Sequence, residues 1–214
     1  MKRIIRLTEN DLSRIVRRVI NERQYLMEGV PNTTLESMGP INIESRSVCL
    51  GTDYIKVSFQ VKNTGKHVAY LVSTKAGGHP TIIPDFVNNN NERPDIYGTM
   101  NFNVLYNGKP SWSSPDGQAQ RMIPAKSVVT INTIIRVELG NIYDHDKYKT
   151  TNPDLYRRRK IQNEMRLNAT QNVRSGKIIV PYNGGELEIP VTFGGFKLDS
   201  KRTCDKEIIL PKGY

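Results

Sequence analysis

Few residues of this sequence have the types and spacing that chemistry requires. Asp144, His145 and Asp146 form a local cluster of metal-ligating side chains. Consecutive residues of an extended segment point to opposite faces, so this spacing does not converge on one ion. We therefore interpret the cluster as a polar loop and expect no metal and no other cofactor. His67 begins a strand after a turn, and we expect it on the surface. His79 lies in a glycine-rich loop, and we expect a structural role for it.

The sequence motifs of the common catalytic sites are absent. The sequence has no Gly-x-Ser-x-Gly elbow, no His-Glu-x-x-His pair and no glycine-rich phosphate loop of the Walker or dinucleotide kind. The pairs Gly77-Gly78 and Gly194-Gly195 lack the companion residues that such loops need. No group of nucleophile, base and orienting residue can be assembled, so we predict that the protein is not an enzyme.

Positive charge is concentrated in two short segments. The chain carries a net charge of +10, of which residues 1–29 hold +3 and residues 153–177 hold +5. The second segment contains four consecutive cations, Arg157, Arg158, Arg159 and Lys160. Successive helical residues are about 100° apart, so the run forms a collar that suits an acidic protein surface or a phosphate backbone. We predict that all four are exposed in the isolated chain and contact another subunit or nucleic acid; a solvated helix face is the alternative.

Three further residues have chemically distinctive side chains. Trp112 lies in a proline-flanked segment that we interpret as a loop, where it either anchors an interface or packs back on the domain. Cys49 and Cys204 are the only cysteines. Two cysteines do not make a disulfide framework, so we expect reduced thiols in a chain that folds in a cytoplasm.

Residues 8–27 are predicted to form an amphipathic helix within an N-terminal unit, 1–29. Thr8 is a good N-cap, and Gly29 and Pro31 end the helix. One apolar stripe runs along it, at i, i+3, i+4, i+7 and i+8: Leu12, Ile15, Val16, Val19 and Ile20. The stripe requires burial against its own domain or another chain, and we predict that these five residues bind a partner. No apolar run is long enough to span a membrane, and arginines interrupt any signal-peptide core.

The rest of the chain reads as β-structure behind a linker at residues 30–40. From residue 41 the pattern has period two, most clearly in residues 54–62. Asn183-Gly184-Gly185 predicts a hairpin, and residues 154–170 predict an inserted helix entered through Asn152 and Pro153. We expect an antiparallel β-sandwich over 41–214 with a helical insertion at about 153–170. The expected strands are 43–50, 54–62, 67–73, 81–87, 97–106, 121–123, 128–139, 177–182, 187–193 and 207–210.

Two resemblances extend this interpretation. Residues 6–16, Arg-Leu-Thr-Glu-Asn-Asp-Leu-Ser-Arg-Ile-Val, resemble the N-terminal helix of many proteins of crAss-like and related tailed phages of Bacteroidetes. That resemblance implies a virion or virion-assembly protein in which the helix is a docking element. Residues 57–65, with their Asn63-Thr64-Gly65 turn, and the Ile123-Pro124 motif are similar to the pattern of immunoglobulin-like sandwich domains. This second resemblance implies that the turn joins two strands and that the proline motif leads into another.

Together these features predict a non-enzymatic phage structural protein of the head, neck or tail. It would act through contacts with other virion proteins, as a symmetric homo-oligomer in the particle, and would be assembled in the host cytoplasm. Contact with packaged DNA is an additional expectation. Two alternatives remain: a soluble adhesin-like or carbohydrate-binding sandwich that uses Trp112 and residues 88–91, and a nucleic-acid-binding accessory protein that uses residues 157–174. Salt-dependent DNA binding or glycan binding by the monomer would distinguish them.

Overall fold

The structure is a computed structural model that describes residues 33–71, 79–87, 93–113, 120–139, 146–204 and 210. The predicted N-terminal helix, with Leu12, Ile15, Val16, Val19 and Ile20, lies outside these residues. So do residues 88–91, most of the Asp144–Asp146 cluster and most of the predicted strand at 207–210. None of the described helices is both long enough and apolar enough to cross a membrane.

The described chain is mainly β-structure in antiparallel sheets, and the predicted β-sandwich is confirmed. The first sheet has the order β1-β4-β11-β7-β8 and the second has the order β2-β13-β12-β6; β5-β10-β9 and β14-β3 form smaller sheets. The strands are β1 (Leu35–Ser37), β2 (Ile41–Ile43), β3 (Arg46–Val48), β4 (Gly51–Asn63), β5 (Ala69–Tyr70), β6 (Thr81–Pro84), β7 (Ile96–Tyr106), β8 (Lys109–Pro110), β9 (Trp112–Ser113), β10 (Gln120–Ile123), β11 (Val128–Leu139), β12 (Ser175–Tyr182), β13 (Gly185–Phe193) and β14 (Phe196–Leu198). Two helices, α1 (Asp146–Thr151) and α2 (Pro153–Asn172), lie between β11 and β12.

Strand β4 lies between short β1 and central β11 in the first sheet, and its side chains alternate strictly. Its inward residues Ile55, Val57 and Phe59 are buried, and the residues between them are exposed. β11 pairs antiparallel with the full length of β4 and places Ile131 opposite Phe59. Inward side chains from both large sheets form one apolar core. Because alternate residues of these strands are apolar, each sheet has one apolar face, and the two apolar faces pack together as two layers.

The Asn63-Thr64-Gly65 turn and the Ile123-Pro124 motif, which lie far apart in the sequence, meet at Asn63. Its fully buried side chain donates from Nδ2 to the carbonyl of His67 at 2.8 Å and to that of Ile123 at 3.0 Å. The Asn63 N–H donates to the carbonyl of Ser127 at 2.9 Å. The proline motif leads into β11, as the resemblance implied. The turn leads into β5, which pairs with β10 instead of returning along β4.

The predicted linker boundary at residue 41 is wrong. Residues 35–37 form β1, which pairs with the end of β4, and Leu35 lies in the core with 5% exposure. The carbonyl of Thr34 accepts from the N–H of Thr64 at 2.8 Å. The chain then leaves the first sheet, and β2 pairs in parallel with β13 of the second sheet. A three-residue strand is too short to show a period, which is why the segment reads as a linker.

Several other strand predictions need adjustment. The predicted hairpin is confirmed, since β12 and β13 are joined through Asn183 and Gly184 with Tyr182 opposite Gly185. The predicted strand at 43–50 is divided between β2 and β3, which belong to different sheets. Trp112, predicted in a loop, lies in β9 opposite Arg121.

The expectation of two reduced cysteines is also wrong for this structure. Cys49 and Cys204 form a disulfide that joins positions 155 residues apart. Beside it, Arg202 forms an ion pair with Asp53, with 2.9 Å between Nη1 and Oδ2, and Arg202 also donates to the carbonyl of Ser47. Asp53 is fully buried. A buried carboxylate requires a charged partner, so the disulfide and the ion pair together hold residues 199–204 against the start of β4.

Candidate functional site on helix α2

Helix α2 begins as the sequence predicts. Asn152 is the N-cap, and its Oδ1 accepts from the N–H of Leu155 at 3.1 Å. Pro153 occupies the first turn, where a missing N–H costs nothing, and Asp154 places a negative charge near the positive end of the helix dipole. The helix extends to Asn172, two residues beyond the predicted end.

Fully buried side chains of α2 occur only in its last turn. Ala169 and Thr170 are the buried helical residues, and the following Val173 lies in the core. The Thr170 hydroxyl donates to the carbonyl of Arg166 at 2.9 Å and accepts from the N–H of Asp95 at 2.8 Å. This end of the helix is therefore fastened to the segment before β7, while the earlier turns have mostly exposed side chains.

The inward side of α2 is a stripe of mixed polarity. Five partly or fully buried residues follow at spacings of three and four: Tyr156, Arg159, Asn163, Leu167 and Thr170. Residues at these spacings share one face of a helix. Because only Leu167 is aliphatic, the stripe has almost no hydrophobic period, and the sequence predicts the helix from its cap and not from an apolar face.

The basic run divides between the two sides of this helix. Arg157, Arg158 and Lys160 are exposed, as predicted. Arg159 belongs to the inward stripe and is half-buried, so the prediction that all four cations are exposed is wrong for Arg159. The Lys160 ammonium lies 4.0 Å from Glu164, but both side chains are more than 60% exposed, and such a pair contributes little.

Two large apolar side chains lie next to these exposed cations. Ile161 is 57% exposed and Met165 is 38% exposed. They are four residues apart and lie on one face, with Arg158 three residues before Ile161. We call Arg157, Arg158, Lys160, Ile161 and Met165 the α2 surface. On this side of the helix three cations outnumber the two exposed carboxylates of Asp154 and Glu164. Apolar side chains within an excess of cations form the pattern of a binding surface for an acidic protein.

A cleft of about 370 Å³ separates the last part of α2 from β7. Its walls include Asp95, Tyr97, Gln162, Met165 and Arg166. The Tyr97 hydroxyl donates to Asp95 Oδ1 at 2.9 Å, and Arg166 Nη1 lies 4.0 Å from the same oxygen. Met165 belongs to both the cleft and the α2 surface, so the two are continuous.

Two charged side chains of β11, Arg136 and Glu138, lie next to Tyr97 at this cleft. The Arg136 guanidinium lies over the Tyr97 ring, 5.1 Å from its centroid, and its Nε lies 3.1 Å from Glu138 Oε1. Burial, followed by the hydrogen bond to Asp95 and the nearby negative charges of Asp95 and Glu138, raises the pKa of Tyr97 above its usual value. A raised pKa makes phenolate formation harder, which suits a structural hydrogen-bond donor better than a base. Sequence reasoning missed this cluster, although Arg136 and Glu138 share a face of β11.

The other chemically distinctive residues do not join this site. His67 is exposed, as predicted, and His79 is half-buried beside β6. Trp112 lies in the short edge sheet with 41% exposure. Within the described part of the chain, no group of three metal-ligating side chains comes together.

Comparison with known proteins does not assign this chain to a family. No protein-family model and no curated protein matches the chain. Among solved structures, it is similar to a family 123 glycoside hydrolase from Clostridium perfringens, with 11% identity over 75% of this chain and a TM-score of 0.32. The chain spans only about a quarter of that hydrolase, 26% of its length. A likeness this low carries no argument about activity.

Proposed function

We propose that the protein is a non-enzymatic structural component of a phage virion that acts through assembly contacts with other proteins of the particle. The observation that carries this proposal is the α2 surface, which presents Ile161 and Met165 among three exposed cations. Such a surface is suited to an acidic protein neighbour, because electrostatic attraction orients the partner and the apolar side chains supply buried area. The resemblance of residues 6–16 to phage N-terminal helices supports the same assignment.

The α2 surface should be required for assembly and dispensable for folding. The triple substitution Arg157→Ser, Arg158→Ser and Lys160→Ser removes three exposed cations and leaves half-buried Arg159 in place. We expect the free energy of unfolding to change by about 0.5 kcal/mol or less, as is usual for surface changes. Incorporation of a tagged copy into particles purified from infected cells should fall severalfold. Added salt should weaken assembly of the wild-type chain in vitro and have less effect on the triple variant, which lacks the charges that salt screens.

A matched control removes the same charge elsewhere. Lys109, Lys197 and Lys201 are exposed on or beside β8 and β14, and replacing all three by serine should leave incorporation unchanged. Equal loss in both triple variants would mean that only net charge matters. Normal incorporation of the α2 variant, or its unfolding in isolation, would contradict the assembly role.

A second candidate function is contact with nucleic acid, because Arg157, Arg158 and Lys160 lie within about one helical turn and face solvent. If these three side chains bind phosphates, the logarithm of the DNA-binding constant should fall with the logarithm of salt concentration with a slope of about −2.7. Fluorescence anisotropy with a labelled duplex measures that slope. The triple serine variant should then abolish the slope, whereas the Lys109, Lys197 and Lys201 variant should keep it. DNA binding that is independent of salt would exclude this function.

A further inference from the structure

The first sheet has an open edge along its longest strand. β1 pairs with β4 only at residues 61–63, and the last backbone bond on this side runs from the N–H of Met38 to the carbonyl of Gln60 at 3.2 Å. The chain then turns away to β2 in the second sheet. Among the described residues, no strand pairs with residues 54–59 of β4 on this side, and Gln60 has only the bond from Met38.

The backbone groups that face this edge can be identified from the bonds on either side. The Asn63 N–H points toward β11, where it binds Ser127, and the Gln60 carbonyl points toward β1. In an antiparallel strand the N–H and the C=O of one residue point to the same side, and successive residues alternate between the two sides. The groups of Lys56 and Ser58 therefore point to the open edge, and no strand pairs with them in the described part of the chain.

A groove lies directly against this edge. It has a volume of about 580 Å³ and runs between residues 55–60 of β4 and residues 38–46. Buried Ile41 and Ile43 line one wall, and Val57 and Phe59 line the other. Met38, at the end where β1 leaves the sheet, is 53% exposed. A seven-residue strand along residues 54–60 would extend about 23 Å.

We propose that this groove binds an extended peptide segment of another protein, which adds a strand to β4 and carries apolar side chains inward and a carboxylate outward, opposite Lys56. An unpaired edge is the requirement for strand addition, in which main-chain hydrogen bonds supply affinity and alternate side chains supply specificity. The buried walls of this groove are apolar, and most of its exposed lining residues are polar or charged. The groove shares no lining residue with the α2 surface.

Charge selects this occupant over the chain's own segments. Lys56 is exposed beside the groove, and no ion pair to it is found among the described residues. The residue directly opposite in an added strand would be its cross-strand neighbour, where unlike charges stabilise and like charges destabilise. Residues 1–29 hold seven cations and four carboxylates, a net charge of +3, and a second copy would bring its own Lys56 near the first. Of the other exposed charges in the groove, Glu44 and Arg46 offset each other. A separate segment with net negative charge and a carboxylate opposite Lys56 is therefore more complementary than either.

The test measures binding of labelled heptapeptides to the full chain by fluorescence anisotropy. The peptides have valine at alternate positions and glutamate, serine or lysine between them. We expect the glutamate peptide to bind most tightly and to slow hydrogen exchange of the Lys56 and Ser58 amides. Ser58→Pro removes the N–H that faces the edge, together with the hydrogen bond of 2.6 Å from the Ser58 hydroxyl to Asn132 Oδ1 of β11, and should weaken binding about tenfold or more. Ser58→Ala loses the same side-chain bond but keeps the N–H, so it is the matched control, with unchanged affinity.

A second variant keeps the test decisive if Ser58→Pro does not fold. Lys56→Glu is a surface change and should reverse the order of the glutamate and lysine peptides. Equal binding of the two peptides, or no binding of the glutamate peptide, would overturn the proposal. Slow exchange of the Lys56 and Ser58 amides without peptide would also overturn it. In that case a monomer in sedimentation would identify a segment of the same chain as the occupant, and a dimer would identify a second copy.

Discussion

Removing the disulfide should lower the free energy of unfolding by about 4–5 kcal/mol in the variant Cys49→Ala, Cys204→Ser. The bond closes a loop of 155 residues, and the loss of chain entropy in the unfolded state grows with loop length, reaching about 5 kcal/mol for loops this long. Alanine replaces Cys49 because that position is buried, where a serine hydroxyl would add its own cost. Urea denaturation followed by tryptophan fluorescence measures the change.

The reduced wild-type protein is the control for the side-chain changes themselves. Dithiothreitol should move its denaturation midpoint close to that of the double variant. For a domain of this size, the expected loss corresponds to a fall in melting temperature of roughly 10–20 °C. An unchanged midpoint after complete reduction, verified by thiol titration, would show that the bond contributes nothing.

A loss of stability on reduction would make the free energy of unfolding depend on the redox state of the surroundings. Disulfides form and persist in oxidising surroundings and are rare in a reducing cytoplasm. Under the proposed function, the chain would be less stable while the particle is assembled in the host and more stable once the particle has been released.

Truncation at residue 41 should destabilise the domain, whereas truncation at residue 33 should not. A fragment of residues 41–214 lacks β1 and therefore loses the buried Leu35 side chain and the bond from Thr64 to Thr34. Loss of a buried leucine alone typically costs about 2–5 kcal/mol, and the unpaired end of β4 adds to it. Thermal unfolding of both fragments and the full chain measures the difference.

The two fragments differ by only eight residues, so each is the natural control for the other. We expect the fragment of residues 33–214 to melt with the full chain. If the 41–214 fragment melted at the same temperature as the full chain, the predicted linker boundary at residue 41 would be supported after all. A similar loss in both fragments would show that residues 1–32 contribute to the core.

Period two was the most informative feature of the sequence. β11 begins and ends at the predicted residues, and β4 exceeds its prediction by only a few residues at its start. Both are long strands with one buried face, where each position reports on its neighbours two residues away. The tight turn at Asn183 and Gly184 was equally clear, because two-residue hairpins require residues of this type.

The pairing between distant segments could not be predicted from the sequence. Alternation shows which face of a strand is buried but not which strand lies beside it, so the move of the chain from β1 to β2 leaves no pattern. The pairing of Cys49 with Cys204 depends on the same long-range arrangement. Half-buried Arg159 was missed for a different reason: its helix face includes Tyr156 and Asn163, so polarity does not reveal the inward direction.

The long separation between β4 and β11 has a consequence during translation. β4 ends at Asn63, and its full-length partner begins at Val128, about 65 residues later. At typical synthesis rates of 5–20 residues per second, this delay lasts roughly 3–13 s. For a delay of this length β4 lacks its full-length partner, and β1 can pair with only its last residues. Such unpaired edges favour aggregation. The nascent chain is therefore most exposed to misassembly before β11 is made, and slower synthesis prolongs that exposure.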